Sequence, residues 1–228
     1  MSFLNAPPTG LRGLGNLQRL GRSLMLPIAA LPAAGLLLRL GQDDMLGRWS
    51  WSQDIAAVLA AAGGALFDNL ALLFAVGVAI GWAKKADGST ALAAVVGYLV
   101  LSNVFKAMSP IVLGEPAEGQ DQRLIDFGVL GGILVGLLAA TLWQRYYRIK
   151  LPTYLGFFGG RRFVPIITAV ATMVLAVVMS FAYNAFDSVL TNLGEAVDGN
   201  TVVGGGIFGT VNRLLLPLGL HHIINTVV

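Results

Sequence analysis

The feature that most limits the fold is a series of apolar runs, each close to the length that crosses a bilayer. Ser23–Leu40, Leu66–Ala83, Ala91–Met108, Phe127–Gln144 and Phe163–Tyr183 are almost free of charge, and an apolar stretch at Ile55–Gly64 precedes the second. A sixth run begins near Val202 and continues to Val228. A helix needs about 20 predominantly apolar residues to span the hydrocarbon core. The expected class is an all-α polytopic membrane protein with five transmembrane helices and the start of a sixth, broken segment. Composition agrees: 12% of residues are charged, against about 25% in soluble domains. Pro27 and Pro32 lie inside the first run, so that helix is expected to kink or break.

The segments between the runs carry the charge, and they carry it unevenly. The leader (Arg12, Arg19, Arg22), the segment after the second run (Lys84, Lys85) and the one after the fourth (Arg145, Arg148, Lys150, Arg161, Arg162) hold ten cations. The alternate segments hold four, Arg39, Arg48, Lys106 and Arg123, and most of the acidic residues, including Asp43, Asp44, Glu115, Glu118, Asp121, Asp187, Glu195 and Asp198. Short loops rich in Lys and Arg stay in the cytoplasm, so the N-terminus is expected there. This pattern accounts for the net charge of +3 without a nucleic-acid partner. Residues 1–22 read as a cytoplasmic leader with an interfacial amphipathic helix over Leu11–Leu20, not as a cleaved signal. Residues 23–200 read as a five-span scaffold and 201–228 as the beginning of a second unit, divided by the acidic stretch Asn184–Asn200.

Several chemistries are absent from the sequence. With no cysteine there is no disulfide, thiolate metal site or cysteine nucleophile. Neither a P-loop nor a zinc-binding HExxH is present, and no metal or cofactor is expected. VVGGGIFG (202–209) has the glycines of a phosphate cradle but neither its strand nor its lysine. Asp68, beside Asn69, is a carboxylate inside an apolar run, where a charge at the bilayer centre costs at least about 2.5 kcal/mol. Two readings remain: a functional intramembrane group, or a cap on the second span near the interface. Arg161 and Arg162, in FFGGRRFVP (157–165), read as a cytoplasmic anchor or as a phosphate or partner contact. In RLLLPLGLHHIINTVV (213–228), Arg213 and His221 flank Pro217 and Gly219. A broken helix in lipid is tolerated where it lines a cavity. Arg213 and His221 are thus the main candidates for binding a polar ligand, with Asn212, His222 and Asn225 secondary.

Four stretches resemble a known family: LGRSLMLPIAALPAAGLLLRLGQ (20–42), GGALFDNLALLFAVGVAIGWAKK (63–85), FFGGRRFVPI (157–166) and IFGTVNRLLLPLGLHH (207–222). They are similar, in order, to the membrane IIC component of the phosphoenolpyruvate-dependent sugar phosphotransferase system, in its glucose / N-acetylglucosamine branch. The resemblance implies a homodimer in the bacterial cytoplasmic membrane that binds one of these sugars and passes it inward. A partner IIB domain, charged by IIA, would phosphorylate it there. It also implies that Arg213 and His221 contact sugar hydroxyls and that the five N-terminal spans dimerise. The family's GITEPxE motif, with its essential glutamate, does not occur in this sequence. The expectation is therefore of the N-terminal half of the membrane domain, lacking a complete catalytic site. Against it stand a membrane scaffold without transport and an ion-coupled transporter using Asp68 and the histidines. The latter lacks a pair of mid-membrane carboxylates.

Overall fold

A computed structural model of the chain describes residues 12–42, 44–114 and 122–198. Among them are seven α-helices: α1 (Arg12–Ile28), α2 (Leu31–Leu40), α3 (Gln53–Asp68), α4 (Leu70–Trp82), α5 (Gly88–Leu113), α6 (Gly128–Tyr146) and α7 (Phe163–Asp198). Short 3-10 turns complete the path, and no strand occurs among the described residues. Four helical stretches are long and apolar enough to cross a membrane, Gln18–Leu40, Gly88–Leu113, Gly128–Tyr146 and Gly160–Val189. A fifth forms if α3 and α4, bent by 55° at their junction, count as one span. The chain is an all-helical, multi-pass membrane protein.

The prolines break the first run as expected. α1 stops one residue after Pro27, and α2 restarts with Pro32 in its first turn, where a missing N–H breaks no helical bond. The Ala29–Ala30 turn leaves both pieces aligned as one stretch of 23 residues. α1 itself begins at Arg12, so the boundary drawn at residue 22 falls inside a helix.

The second run differs from expectation. It does not start at Leu66 and continue unbroken; it breaks at Asn69, whose backbone leaves the helical region at φ −103°, ψ 20°. The Asn69 side-chain amide donates to the Ala65 carbonyl at 2.9 Å, competing with the backbone ladder as Asn side chains do. Packing pulls the two halves apart, since α3 lies on α2 while α4 lies between α1 and α6. α4 (LALLFAVGVAIGW) is apolar on every side and buries Leu70, Ala71, Phe74, Ala75, Gly77, Val78 and Ala79. A helix apolar all round belongs at the centre of a bundle.

Close approach depends on small residues. A Cβ at Gly77 would lie 2.5 Å from Pro27 Cδ, and one at Gly81 would strike Ser23 of α1. On the opposite side, a Cβ at Gly132 would strike the Ala71 carbonyl, and one at Gly136 would lie 2.5 Å from that of Ala75. These two small-xxx-small pairs let backbones touch where lipid gives no hydrophobic drive to associate. α5 and α7 form the other broad contact. There buried Ser109, Thr168 and Ser180 satisfy their hydroxyls on the carbonyls of Phe105, Val164 and Ala176, four residues back.

Two further boundaries move. α5 runs to Leu113, so Lys106 lies within a helix rather than in the loop assigned to it. α7 continues through Asn184 to Asp198, so the acidic stretch drawn as a division is helical up to that point. It has no proline, and Phe186, Val189 and Leu190 keep the helical spacing of apolar positions.

Candidate functional site

Arg213, His221, His222, Asn212 and Asn225 lie outside the described residues, as does VVGGGIFG. The described residues carry two places where polar chemistry gathers, one at each end of the helices.

The first is a cavity of about 360 Å³ beside the α3–α4 break. Its polar lining comes from Asn69 at the break, Tyr98, Ser102 and Lys106 on α5, and Asp126 just before α6; Leu101, Phe105, Ile125 and Phe127 supply apolar walls. The loop that closes it is held at three points. The Ile125 amide donates to Ser109 Oγ at 2.9 Å, and Arg123 donates to both carboxylate oxygens of Asp187 on α7 at 2.8 Å. Phe127 packs among Phe105, Tyr183 and Phe186, with ring centroids 4.8–5.5 Å away. Asp126 Oδ1 accepts from the Gly128 amide at 2.7 Å, at the start of α6. The cavity thus mixes hydroxyl, amide, ammonium and carboxylate groups fit for binding a polar molecule, with no nucleophile–base pair set for catalysis. Sequence reading passed over it; the signal was Ser102, Asn103 and Lys106 interrupting the third apolar run.

Asp68 does not cap the second span. It is the last residue of α3, exposed, and α4 starts after Asn69 without a side-chain cap. The sequence reading placed the start of the span a few residues too early, and the break reverses which helix end Asp68 occupies.

The second place is the opposite, basic end. Asp87 opens α5 with a capping box: its Oδ1 accepts from the Ser89 amide at 2.9 Å and the Ser89 hydroxyl at 2.6 Å, while its own amide donates to Thr90 Oγ1 at 3.3 Å. Arg161 Nη1 lies 2.8 Å from the other Asp87 oxygen. Partial burial raises the Asp87 pKa, but the Ser89 hydroxyl and amide, Arg161 and the Thr90 amide outweigh it and hold the carboxyl below its ordinary value. Arg162 donates to the Phe157 carbonyl at 3.3 Å and stacks on the Phe157 ring at 4.7 Å. Arg19 on α1 donates to the Trp82 carbonyl and lies over the Trp82 ring, and Gln144 reaches the same carbonyl at 3.5 Å. Arg161 and Arg162 therefore hold loops together at this end. Among the described residues no cluster of His, Cys, Asp or Glu could hold a metal ion.

Residues 21–228 match the family model described as "Phosphotransferase system, EIIC". The chain belongs to this family. Among curated members, an N-acetylglucosamine-specific EIIC component of Streptomyces coelicolor is 52% identical over 97% of this chain and 55% of its own length. An N-acetylglucosamine-specific EIICBA component of Escherichia coli is 45% identical over 94% of this chain and 30% of its own. A glucosamine-specific EIICBA component of Bacillus subtilis is 47% identical over 92% of this chain and 32% of its own. This EIIC chain thus spans about half the length of the first relative and about a third of the other two.

Proposed function

We propose that this EIIC-family chain forms part of a permease that binds N-acetylglucosamine, or a closely related sugar, and moves it across the bacterial cytoplasmic membrane. The observation that carries this reading is the 52% identity, over 97% of the chain, to a relative named for that sugar. The glucosamine name of the Bacillus subtilis relative supports an amino sugar rather than glucose. The names of the EIICBA relatives support IIB and IIA phosphocarriers as partners, with IIB phosphorylating the sugar as it arrives. Arg213 and His221 are the proposed sugar contacts, assisted by Asn212, His222 and Asn225. The five-span scaffold is the proposed homodimer surface, and the basic end is the proposed cytoplasmic face.

The test replaces the matching N-terminal part of the Streptomyces coelicolor relative with this chain. Phosphoenolpyruvate-dependent uptake of labelled N-acetylglucosamine is then measured in vesicles supplied with the phosphocarriers. Uptake is expected to persist. Arg213→Ala or His221→Ala in that chimera is expected to weaken sugar binding about ten-fold or more, the worth of a hydrogen bond to a charged group, with the oligomeric state unchanged. Unchanged affinity in both variants removes the site assignment. A chimera that inserts and dimerises without uptake favours the scaffold reading instead.

A further inference from the structure

The segment between α6 and α7 has a shape that a simple connection does not need. Its base is pinched shut by the Gly160 amide donating to the Ile149 carbonyl at 2.9 Å, and Gly160 takes φ +66° to make the turn. The pinch throws residues 150–159 out as a closed lobe, and every residue from Pro152 to Phe158 is exposed. The lobe's tip is apolar and aromatic: Tyr154 is 82% exposed and Phe157 71%, with Phe158 and Leu155 beside them. In water such a cluster would be costly, and it belongs to no packed core of the described helices.

The lobe's rim is cationic. Arg145, Arg148, Lys150, Arg161 and Arg162 flank it, and no acidic residue occurs from Gln144 to Phe163. Arg161 is already engaged by Asp87. Arg148 and Arg162 lie over the rings of Tyr147 and Phe157, at 5.1 and 4.7 Å from guanidinium carbon to ring centre, and Arg162 uses one N–H on the Phe157 carbonyl. A guanidinium carries five N–H donors in a fork that suits phosphate oxygens, so each keeps donors beyond those its loop uses. Both ends of the lobe run directly into helices that cross the membrane, which keeps it near the headgroup layer. Aromatic rings collect at that depth, and clustered cations there are drawn to anionic lipid.

From this combination we infer that the 147–162 lobe is an interfacial foot. Tyr154, Leu155, Phe157 and Phe158 insert among the headgroups, while Arg148, Lys150 and Arg162 bind the phosphates of anionic phospholipid. A protein surface would fit the rings equally well. The bilayer is favoured by the uniform positive charge and the attachment to two spans. The proposal does not depend on sugar transport, so failure of either reading leaves the other testable.

The experiment uses the full chain, reconstituted into bilayers of phosphatidylglycerol or of phosphatidylcholine. The natural sequence has no cysteine, so Tyr154→Cys offers a single site for an environment-sensitive fluorophore. The label is expected to report an interfacial environment in phosphatidylglycerol and a wetter one in phosphatidylcholine. In detergent, retention of fluorescent phosphatidylglycerol over phosphatidylcholine is expected to fall more than about ten-fold in Arg148→Gln/Lys150→Gln/Arg162→Gln, since each such cation contributes roughly five-fold near an anionic surface. Arg161 is left intact, and circular dichroism confirms that the variant keeps its helices. Equal retention of both lipids, full retention by the triple variant, or a label in water on phosphatidylglycerol overturns the proposal. So does displacement of the lipid by millimolar inorganic phosphate, which would mark a free-phosphate site. Immersion of the label only on adding a phosphocarrier protein would mark a protein-docking surface and overturn it as well.

Discussion

At the level of single residues, two aspartates show how the sequence informs and misleads. Asp68 drew attention as a carboxylate in an apolar run, yet it sits exposed at the end of α3. Asp87, in the loop KKADGST (84–90), is the aspartate that caps a helix, α5. Its signal was present, an Asp one turn before an apolar run with Thr three positions on. Intramembrane charge is the rarer observation and drew the eye first. The cap and the ion pair at Asp87 are unequal in weight. An N-cap carboxylate is worth about 1 kcal/mol, whereas Arg161 is 67% exposed, and ion pairs in water contribute about 0–1 kcal/mol. Asp87→Ala is therefore expected to destabilise the protein more than Arg161→Ala, with a small coupling in the double variant; thermal unfolding in detergent measures all three. Since the folded state holds the Asp87 carboxyl below its ordinary value, its contribution is complete above about pH 4, the unfolded range. It fades as the pH falls through the lower folded value, and the Asp87→Ala protein lacks this part of the acid sensitivity. An identical acid profile in the two proteins would show that Asp87 has no such role.

At the level of elements, apolar run length located the helical stretches long enough to cross a membrane among the described residues, but not the joints between helices. Prolines announced the α1–α2 break because they act locally. The α3–α4 break is announced only by Asn69, and it is fixed by which helices each half meets, information that no window of sequence contains. Glycine is abundant in this chain, and the helices show which glycines matter. Gly132 and Gly136 face backbone carbonyls of α4, atoms that cannot move aside cheaply, whereas Gly64 in α3 has open space around its missing Cβ. Gly132→Ala is expected to force α6 from α4 and cost about 1–3 kcal/mol, the usual range for overpacking. Gly64→Ala is expected to be neutral or to gain up to about 1 kcal/mol from helix propensity. Unfolding in mixed detergent micelles compares the two; equal effects would mean that close α4–α6 contact does not determine stability. The candidate sugar residues behave differently again. Arg213 and His221 are candidates through a motif resemblance and the oddity of charge beside Pro217 and Gly219, and they lie outside the described residues.

At the level of the whole molecule, the alternation of helices turns a list of charges into two chemically distinct ends. One gathers Arg19, Trp82, Asp87 and Gln144 with the cationic lobe; the other holds the Arg39–Asp44 and Arg123–Asp187 pairs. Two cations at the second end, Arg39 and Arg123, are therefore matched by carboxylates. Arg39 hydrogen-bonds both oxygens of Asp44 at 2.7 Å and holds that carboxyl below its ordinary value. At the first end Arg145, Arg148 and Arg162 rest on aromatic rings instead. Translocating a loop means carrying its unpaired cations across the membrane, so the end with more of them should remain where synthesis leaves it. This asymmetry was visible in the sequence, and it holds with Lys106 inside α5 rather than in a loop. The proposed orientation follows, with α1 entering from the cytoplasm. In intact cells expressing the otherwise cysteine-free chain, Asp44→Cys is expected to react with a membrane-impermeant maleimide. Lys84→Cys, equally exposed in the fold, is expected to react only after permeabilisation. The reverse pattern would invert the molecule and place the lobe against the outer leaflet; labelling of both sites in intact cells would mean that Asp44 and Lys84 share one side, with the bent α3–α4 pair a re-entrant loop rather than a span.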